Sequence, residues 1–282
     1  MILIADSGAS KTDWRIIDRD GQISQAKTQG FNPYLQQAEE ISTEIGDALL
    51  PQIKTDIDWI YYYGAGCSSE QNINKIKQVL KMYFPDAEIA VHHDLLAAAR
   101  ALCGSDTGIA CILGTGANSC LYNGEEIVDN VPALGYALGD EGSGAYIGKR
   151  LLSDYLRRDM PAGVGERLEK RFNLTKDDVL EKVYHQPAPS RYLASFAKFV
   201  FQNLKEPYLY RLVYDSMSSF FEKNVVKYEG HDQHLVHFTG GIAFYFGNIL
   251  RQVANDKGIA VRNILESPIA GLTLYHQNQL NN

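Results

Sequence analysis

The chain has 282 residues, 45% of them hydrophobic, and a net charge of −7 from 27 basic and 34 acidic side chains. This composition excludes a disordered or fibrous protein and is sufficient for one large or two ordinary domains. The acidic balance, without a cluster of basic residues, argues against nucleic acid as a partner. No apolar run approaches the roughly 18 residues that a membrane span requires, so no membrane contact is expected.

The first predicted elements are three short strands joined by tight turns. An apolar run at 2–5 and a β-prone run at 13–18 are separated by only about seven residues, too few for a crossover helix, so an antiparallel hairpin is expected. A turn signal at Asp20-Gly21 precedes a third strand at 22–28. No basic segment precedes the first apolar run, which indicates a strand rather than a signal peptide and favours a cytoplasmic protein.

The rest of the first half alternates helices with strands. Apolar residues recur at helical spacing from Leu35 to Leu49. Strands are predicted at 57–63 and 88–92, and helices at 73–83 and about 95–103. The pattern is typical of an α/β fold that opens with a β-meander.

The second half opens in the same way as the first. A strand at 108–113 turns through Gly114-Thr115-Gly116 into a strand at 118–122, and the hairpin signal Asn123-Gly124 precedes a strand at 126–131. Because both halves begin with an apolar strand, a turn of small residues and a returning strand, we infer a coarse duplication.

The remainder of the second half is predicted to be mainly helical. Residues 142–229 show an almost wholly helical pattern, and a strand at 234–238 leads into Thr239-Gly240-Gly241. The last predicted elements are a strand at 259–264 and a helix after Pro268.

The cysteines and closely spaced histidines do not indicate a metal site. The four cysteines lack Cys-x-x-Cys spacing, which favours reduced, buried thiols; they are Cys67, Cys103, Cys111 and Cys120. His231, His234 and His237 would need one helical face to bind a metal together. The strand predicted at 234–238 instead points residues 234 and 237 to opposite sides.

Two hairpin loops of small residues are suited to bind phosphate. The first follows Asp6 and contains Gly8, Lys11 and Thr12, and the second is the turn at 114–116. Backbone N–H groups exposed by such turns form concave nests for phosphate oxygens. Asp6, at a strand end, is a candidate to hold Mg²⁺ through water. Each glycine alone would also be explained by the needs of a tight turn.

Together these loops resemble the motifs of the actin/sugar-kinase/heat-shock-chaperone ATPase superfamily. The first phosphate, second phosphate and adenosine motifs are similar to Asp6-x-Gly8-x-Ser10-Lys11-Thr12, to 114–119 and to Phe238-Thr239-Gly240-Gly241. The loop Gly135–Ser143, with Asn32 and His93-Asp94 at suitable intervals, more specifically resembles the N-acetylglucosamine kinases and the wider BadF/BadG/BcrA/BcrD ATPase family. The resemblance extends from about residue 5 to about residue 275.

The resemblance implies a two-domain α/β fold. Two ribonuclease H-like, actin-like ATPase domains with an interdomain cleft are expected, and the cleft is expected to close during activity. The first domain is predicted at 1–112 together with a C-terminal helix at about 268–282. The second is predicted at 113–267, with a large helical insertion at about 145–230.

The resemblance also implies the roles of individual residues. Asp94 is the expected general base, although an Asp at the start of a helix is commonly an N-cap. Asn32 is expected to contact sugar hydroxyls, although it could simply begin a turn before Pro33. The residues implied for ATP and phosphate are Ser7, Gly8, Ala9, Ser10, Lys11, Thr12, Thr115, Gly116, Gly240 and Gly241. Those implied for the substrate are Asn32, Asp94, Ala117, Asn118, Gly135 and Asp140.

The implied activity is ATP- and Mg²⁺-dependent phosphorylation of an amino sugar, a small-molecule partner. The expected substrate is N-acetylglucosamine, phosphorylated at its 6-hydroxyl, and N-acetylmuramic acid and glucosamine are the alternatives. The resemblance leaves open whether the protein forms a homodimer. A second possible function is that of the ATPase activators of 2-hydroxyacyl-CoA dehydratases, whose cysteines bridge an iron–sulfur cluster. The second phosphate motif of those activators begins with an acidic residue, whereas this chain has Leu113 at the matching position. A third, a sugar-responsive transcriptional regulator, is disfavoured by the acidic charge and by a phosphate motif that starts at residue 6.

Overall fold

The computed structural model describes residues 1–8, 11–34, 36–54 and 56–280. It divides into two compact units, one formed by Met1–Ser105 with Pro268–Asn282 and the other by Asp106–Ser267. The division falls before residues 112–113, where the sequence analysis places it, because the whole of the strand Gly108–Leu113 pairs with strands of the second unit.

The first unit is built on a mixed five-stranded sheet. Its strands are β1 (Ile2–Ser7), β2 (Lys11–Ile17), β3 (Ile23–Gln29), β4 (Trp59–Gly64) and β5 (Glu88–His93), in the order β3-β2-β1-β4-β5. The predicted antiparallel hairpin of β1 and β2 is confirmed, and β4 and β5 run parallel to β1. Ser7, Gly64 and His93 occupy one cross-strand row, so β1, β4 and β5 all end at the same edge of the sheet.

Three helices of the first unit follow these strands in the chain. They are α1 (Ala38–Glu44), which continues as a π-helical turn and a 3₁₀ turn, α2 (Glu70–Tyr83) and α3 (Asp94–Cys103). The helix predicted from Leu35 to Leu49 is observed from Ala38, and Leu35 lies outside the described residues. Apolar residues of α1 and α2 pack with Trp14 and Tyr62 in the core of this unit, as the helical spacing indicates.

The second unit repeats the topology of the first. Its strands are β6 (Gly108–Leu113), β7 (Ala117–Tyr122), β8 (Ile127–Asp129), β9 (Val236–Thr239) and β10 (Val261–Leu265). Three antiparallel strands again form a meander, and the order β8-β7-β6-β9-β10 matches β3-β2-β1-β4-β5 strand for strand. The predicted duplication is therefore visible in the fold.

The segment between β8 and β9 consists mainly of helices. They are α4 (Gly135–Leu138), α5 (Gly144–Arg157), α6 (Ala162–Phe172), α7 (Lys176–Tyr184), α8 (Pro189–Ala194), α9 (Ala197–Gln202) and α10 (Pro207–Lys223). After β9 come α11 (Gly241–Tyr245) and α12 (Gly247–Asp256). Phe220 and Phe221 of α10 pack against Phe238 of β9, at ring centroid distances of 5.9 and 5.6 Å, and so fix the helices to the sheet.

The last helix, α13 (Ile269–Leu280), returns to the first unit. Its residues Ile269 and Leu272 are buried with Ile2, Ile4 and Ala97. The helix covers one face of the first sheet, so the two ends of the chain stabilise the same unit. No helix within the described ranges is both long and apolar enough to traverse a lipid bilayer.

Candidate active site

The first small-residue loop is the turn between β1 and β2. The Gly8 N–H donates to the Lys11 carbonyl at 3.0 Å, and the buried hydroxyls of Ser7 and Thr12 lie 2.8 Å apart. The Thr12 hydroxyl donates to the Gln29 carbonyl at 3.0 Å, and the Ser7 hydroxyl accepts from the Phe31 N–H at 3.2 Å. These two side chains therefore brace the turn from inside, while Gly8 is exposed. The predicted contacts Ala9 and Ser10 lie outside the described residues.

An acidic pair lies at the base of this turn. Asp6 of β1 is directly opposite Asp13 of β2, and the buried Asp13 carboxylate contacts the ammonium groups of Lys11 at 2.6 Å and Lys27 at 3.7 Å. Asp6 is only partly buried. Carboxylate oxygens at a strand end are donors that Mg²⁺ accepts, and Mg²⁺ is usually held by one or two such groups with water and phosphate. The residues present therefore fit Mg²⁺. Sequence reasoning missed Asp13, although its place opposite Asp6 follows from the hairpin register.

Asp94 is the first residue of α3, immediately after the end of β5. The N-cap interpretation of Asp94 is wrong, because His93 caps the helix: its Nδ1 atom accepts the Leu96 N–H at 3.3 Å. Burial raises the pKa of the Asp94 carboxyl, against the lowering effects of His93 and of backbone N–H groups. A carboxyl group whose pKa is raised toward the working pH is suited to accept a proton.

The loop after β4 lies beside both Asp94 and Asn32. A Cβ built on Gly66, whose φ is +81°, would lie 3.0 Å from the Asn32 side-chain oxygen. That oxygen accepts the Tyr34 N–H at 3.1 Å, so Asn32 does begin a turn before Pro33. Burial raises the pKa of the neighbouring Cys67 thiol to about 12, and the charge of Asp94 contributes. Asn32 and Asp94 thus both lie near the loop that follows β4, at the edge where β1, β4 and β5 end.

In the second unit, the turn 114–116 is held against the start of α5. The N–H groups of Gly144 and Ala145 donate to the carbonyls of Gly114 at 2.9 Å and Thr115 at 3.0 Å. On its other side this turn meets the loop that precedes α11. A Cβ built on Gly240, whose φ is +111°, would lie only 2.4 Å from the Leu113 carbonyl oxygen. The loop that contains the predicted residue Gly240 therefore adjoins Leu113 and Gly114, which lead into the predicted phosphate residues Thr115 and Gly116.

Asp140 lies against the same turn. Its backbone is left-handed, with φ of 58°, and its carboxylate accepts the Ala117 N–H at 3.2 Å. The carboxylate also lies 3.1 Å from the position that a Cβ on Gly116 would take. Burial raises the pKa of Asp140, and the neighbouring charge of Glu141 adds to the effect. Glu141 is itself buried and pairs with Lys223 of α10 at 2.9 Å.

Three other predicted substrate residues belong to this unit. Ala117 adjoins Asp140, whereas no contact of Asn118 or Gly135 with Asp140 is seen among the described residues. Asn118 accepts hydrogen bonds through its side-chain oxygen from the Ser119 N–H at 2.9 Å and from Asn130 at 3.1 Å. Gly135 is exposed and begins α4 with φ of +73°. An open cavity of about 160 Å³ has Ala117 and Asp140 in its wall, together with apolar side chains of the segment that leads into α4.

The four cysteines and His237 lie in the interior. All four cysteines are buried, as predicted, and none forms a disulfide, which leaves no exposed thiol for the iron–sulfur alternative. His237 lies within β9, and burial with the nearby charge of Arg262 lowers its pKa to about 4. In the described parts of the chain, no three His, Cys, Asp or Glu side chains are grouped to hold a metal ion.

Comparison with known proteins gives several close structural matches. No protein-family model matches the chain, and no curated protein matches it. The solved structure of the putative N-acetylglucosamine kinase from Porphyromonas gingivalis is 42% identical, with a TM-score of 0.94 over 99% of this chain and 100% of that one. The putative N-acetylglucosamine kinase from Chromobacterium violaceum has 15% identity and a TM-score of 0.78, over 97% of this chain and 98% of that one.

A more distant match extends the fold to another group of kinases. The ROK-family glucokinase from Streptomyces griseus, solved with glucose and AMPPNP, has 13% identity and a TM-score of 0.55 over 98% of both chains. At this identity the match supports the shared fold alone, two units of the actin-like ATPase type.

Proposed function

The chain belongs to the family of sugar kinases with the actin-like ATPase fold that includes the Porphyromonas gingivalis protein, and from this premise we propose that it transfers the γ-phosphate of ATP to the 6-hydroxyl of an amino sugar. N-acetylglucosamine is the proposed acceptor, since the name of the 42% identical relative and the loop Gly135–Ser143 both favour it. N-acetylmuramic acid and glucosamine are the alternatives.

Asp94 carries the proposal. It follows β5 at the edge where three parallel strands of the first sheet end, near the loop that contacts Asn32. Its raised pKa reflects a partly desolvated carboxylate, which is a better proton acceptor than an exposed one. A structural N-cap would need neither property, and His93 already fills that role.

The proposed step is an in-line phosphoryl transfer. The 6-hydroxyl oxygen of the sugar forms a bond to the γ-phosphorus while the bond from that phosphorus to the β,γ-bridging oxygen breaks, and ADP leaves. Asp94 takes the hydroxyl proton as the new bond forms. Because this transition state has loose bonding, catalysis depends mainly on position and charge, which the surrounding loops and Lys11 supply.

The proposed nucleotide contacts are the residues of the two phosphate loops and of the adenosine motif. The backbone of Gly8 and the ammonium of Lys11 serve the phosphates from the first unit. Thr115 and Gly116 are the further proposed phosphate contacts, and Gly240 and Gly241 are the proposed nucleoside contacts. Asp6 would hold Mg²⁺ through water, and the ion would neutralise charge on the phosphate oxygens.

The proposed sugar contacts are polar side chains and backbone groups. Asn32 offers its side-chain amide near the edge that bears Asp94. Asp140, adjacent to Ala117, offers a carboxylate that accepts hydrogen bonds from hydroxyl groups. Asn118 and Gly135 complete the proposed set.

A turnover panel tests the function. The protein is incubated with ATP and Mg²⁺ and separately with N-acetylglucosamine, N-acetylmuramic acid, glucosamine, N-acetylmannosamine and glucose, and ADP formation is followed. Sugar-dependent ADP formation, greatest with N-acetylglucosamine, and a product phosphorylated at the 6-hydroxyl are expected. A different preferred amino sugar would revise the substrate, and the absence of ADP formation above background with every sugar would refute the kinase proposal.

A further inference from the structure

A buried carboxylate in the first hairpin is contacted by two lysines, one from its own strand and one from the neighbouring strand. Lys11 approaches one Asp13 oxygen to 2.6 Å and Lys27 approaches the other to 3.7 Å. Only 5% of the Asp13 side chain is exposed, whereas Lys11 and Lys27 expose 60% and 68%. A carboxylate this deeply buried is costly when no cation accompanies it. Asp13 therefore depends on at least one of the two lysines.

The strand register shows which lysine is fixed by the fold. Lys27 of β3 is the direct cross-strand partner of Asp13, which in turn is opposite Asp6. Like charges directly opposite each other destabilise a sheet, so a lysine on the other side of Asp13 has a structural reason. Lys11 is the first residue of β2 and closes the turn that follows Gly8. It is thus the lysine that stands next to the proposed phosphate loop.

Because of these positions, Lys11 can reach a bound phosphate, whereas Lys27 remains beside Asp13. A lysine carries a compact charge on a flexible four-carbon stem and can move between two anionic partners. When Lys11 moves from Asp13 to a phosphate, one ion pair replaces another. The exchange leaves a buried, unpaired carboxylate unless a second cation stays beside Asp13, and Lys27 is in place to do so.

We propose that Lys11 exchanges between Asp13 and the terminal phosphates of ATP, and that Lys27 neutralises Asp13 when Lys11 leaves. The inference rests on the proposed function, because it requires a nucleotide at this hairpin. Lys27 is then a positioning residue: it acts through Asp13 and Lys11 and does not itself contact the nucleotide. Asp13 holds Lys11 beside the loop in the absence of nucleotide.

A double-mutant cycle at Asp13 and Lys27 tests the exchange. The affinity for AMPPNP with Mg²⁺ is measured by calorimetry for the wild type, Lys27→Met, Asp13→Asn and the double variant. Lys27→Met is expected to raise the Kd about tenfold, or about 1.4 kcal/mol, because Lys11 can leave Asp13 only at the cost of exposing an unpaired buried charge. In the Asp13→Asn background the same substitution is expected to change the Kd by less than about twofold, because an amide needs no cation.

Three further measurements make the outcome decisive. Lys27→Arg retains a cation and is expected to bind AMPPNP as the wild type does, and Lys77→Met on the exposed face of α2 controls for loss of one positive charge. If Lys27→Met lowers the melting temperature but leaves the Kd unchanged, or raises the Kd equally in both backgrounds, the exchange is refuted while nucleotide binding stands. If the wild type does not bind AMPPNP, the proposed function fails and the exchange fails with it.

Discussion

Asp94 is the residue on which the chemistry depends most directly. Asp94→Asn preserves size but removes the proton acceptor, and general-base catalysis contributes about 10²- to 10⁴-fold, so we expect kcat to fall within that range. The Kd for AMPPNP should not change, because the phosphate loops do not involve this carboxylate. Steady-state kinetics and calorimetry of the two proteins measure both quantities.

The melting temperature distinguishes this role from a structural one. Because burial raises the pKa of Asp94 in the folded protein, the group stabilises the fold only at acidic pH, and that contribution is lost as pH rises above the ordinary carboxyl pKa. At neutral pH the melting temperature of Asp94→Asn should therefore equal or exceed that of the wild type. Asp86→Asn, an exposed residue of the same unit, is the matched control. Retention of more than about a tenth of kcat would exclude Asp94 as the base.

The raised pKa of Asp94 also predicts the pH dependence of activity. The base must be ionised to accept a proton, so kcat/KM should fall as the pH decreases through the raised pKa of Asp94. The apparent pKa of this acidic limb should lie above about 3.9, the ordinary value for an aspartate. Assays after brief exposure to acid and return to neutral pH separate this reversible loss from unfolding. An acidic limb at or below the ordinary value would contradict the assignment.

At the scale of elements, the loop between β9 and α11 depends on one glycine. Gly240 has φ of +111° and ψ of 155°, a region that is essentially restricted to glycine, and a Cβ there would lie 2.4 Å from the Leu113 carbonyl oxygen. Gly240→Ala should therefore lower the free energy of unfolding by more than about 1–3 kcal/mol, since overlap adds to the backbone strain. Chemical denaturation provides the measurement.

Gly241→Ala is the matched control for Gly240→Ala. A Cβ on Gly241 would approach nothing closer than 4.0 Å, and the residue begins a helix. This neighbouring substitution should leave the free energy of unfolding almost unchanged. Equal destabilisation by the two substitutions would show that the close approach of Gly240 to β6 is not what constrains the loop.

The secondary structure followed from the sequence wherever local signals were strong. Short connections required the hairpin of β1 and β2, and apolar periodicity located α2 and α3 to within a few residues. The π-helical turn at Ile45–Leu49 had no such signal, because its side-chain spacing resembles that of an α-helix. The boundaries of the helices within 142–229 could not be predicted either. Two of these helices end at residues with left-handed backbone, Arg158 and Asn173, and neither residue is a glycine or a proline.

The sequence predicted where in the fold the candidate site lies better than it predicted the side-chain contacts within the site. The ends of strands mark where Asp6, Asp94 and the turn 114–116 must lie, and the duplicated topology relates the two phosphate loops. The burial of Ser7 and Thr12 could not be predicted, because both hydroxyls are engaged by β3 and the residues after it. The role of Asp13 as the lysine partner likewise depends on a cross-strand contact with Lys27 that the sequence alone does not display.

At the scale of the whole chain, a buried polar cluster joins the C-terminal helix α13 to β4 and α3, which lie far from it in the sequence. His276 of α13 stacks on Tyr61 at a ring distance of 3.9 Å, and its Nε2 atom is 2.9 Å from the Tyr63 hydroxyl, which accepts a hydrogen bond from Arg100 at 2.8 Å. Burial, reinforced by the charges of Arg100 and His92, lowers the pKa of His276 to about 3. The fold therefore selects the neutral imidazole.

This selection predicts how the stability of the molecule responds to acid. The folded-state pKa of His276 lies below the unfolded value of about 6.5, so its contribution to stability is complete above pH 6.5 or so and is lost as the pH falls toward 3. Within that window each such histidine should reduce the free energy of unfolding by about 1.4 kcal/mol per pH unit. His276→Gln, which retains a hydrogen-bonding side chain without the titration, should make the slope shallower, whereas His185→Gln at an exposed position should not. Denaturant titrations between pH 7 and 4 measure the slopes, and identical slopes for the wild type and both variants would mean that protonation of His276 does not limit the stability of the fold in acid.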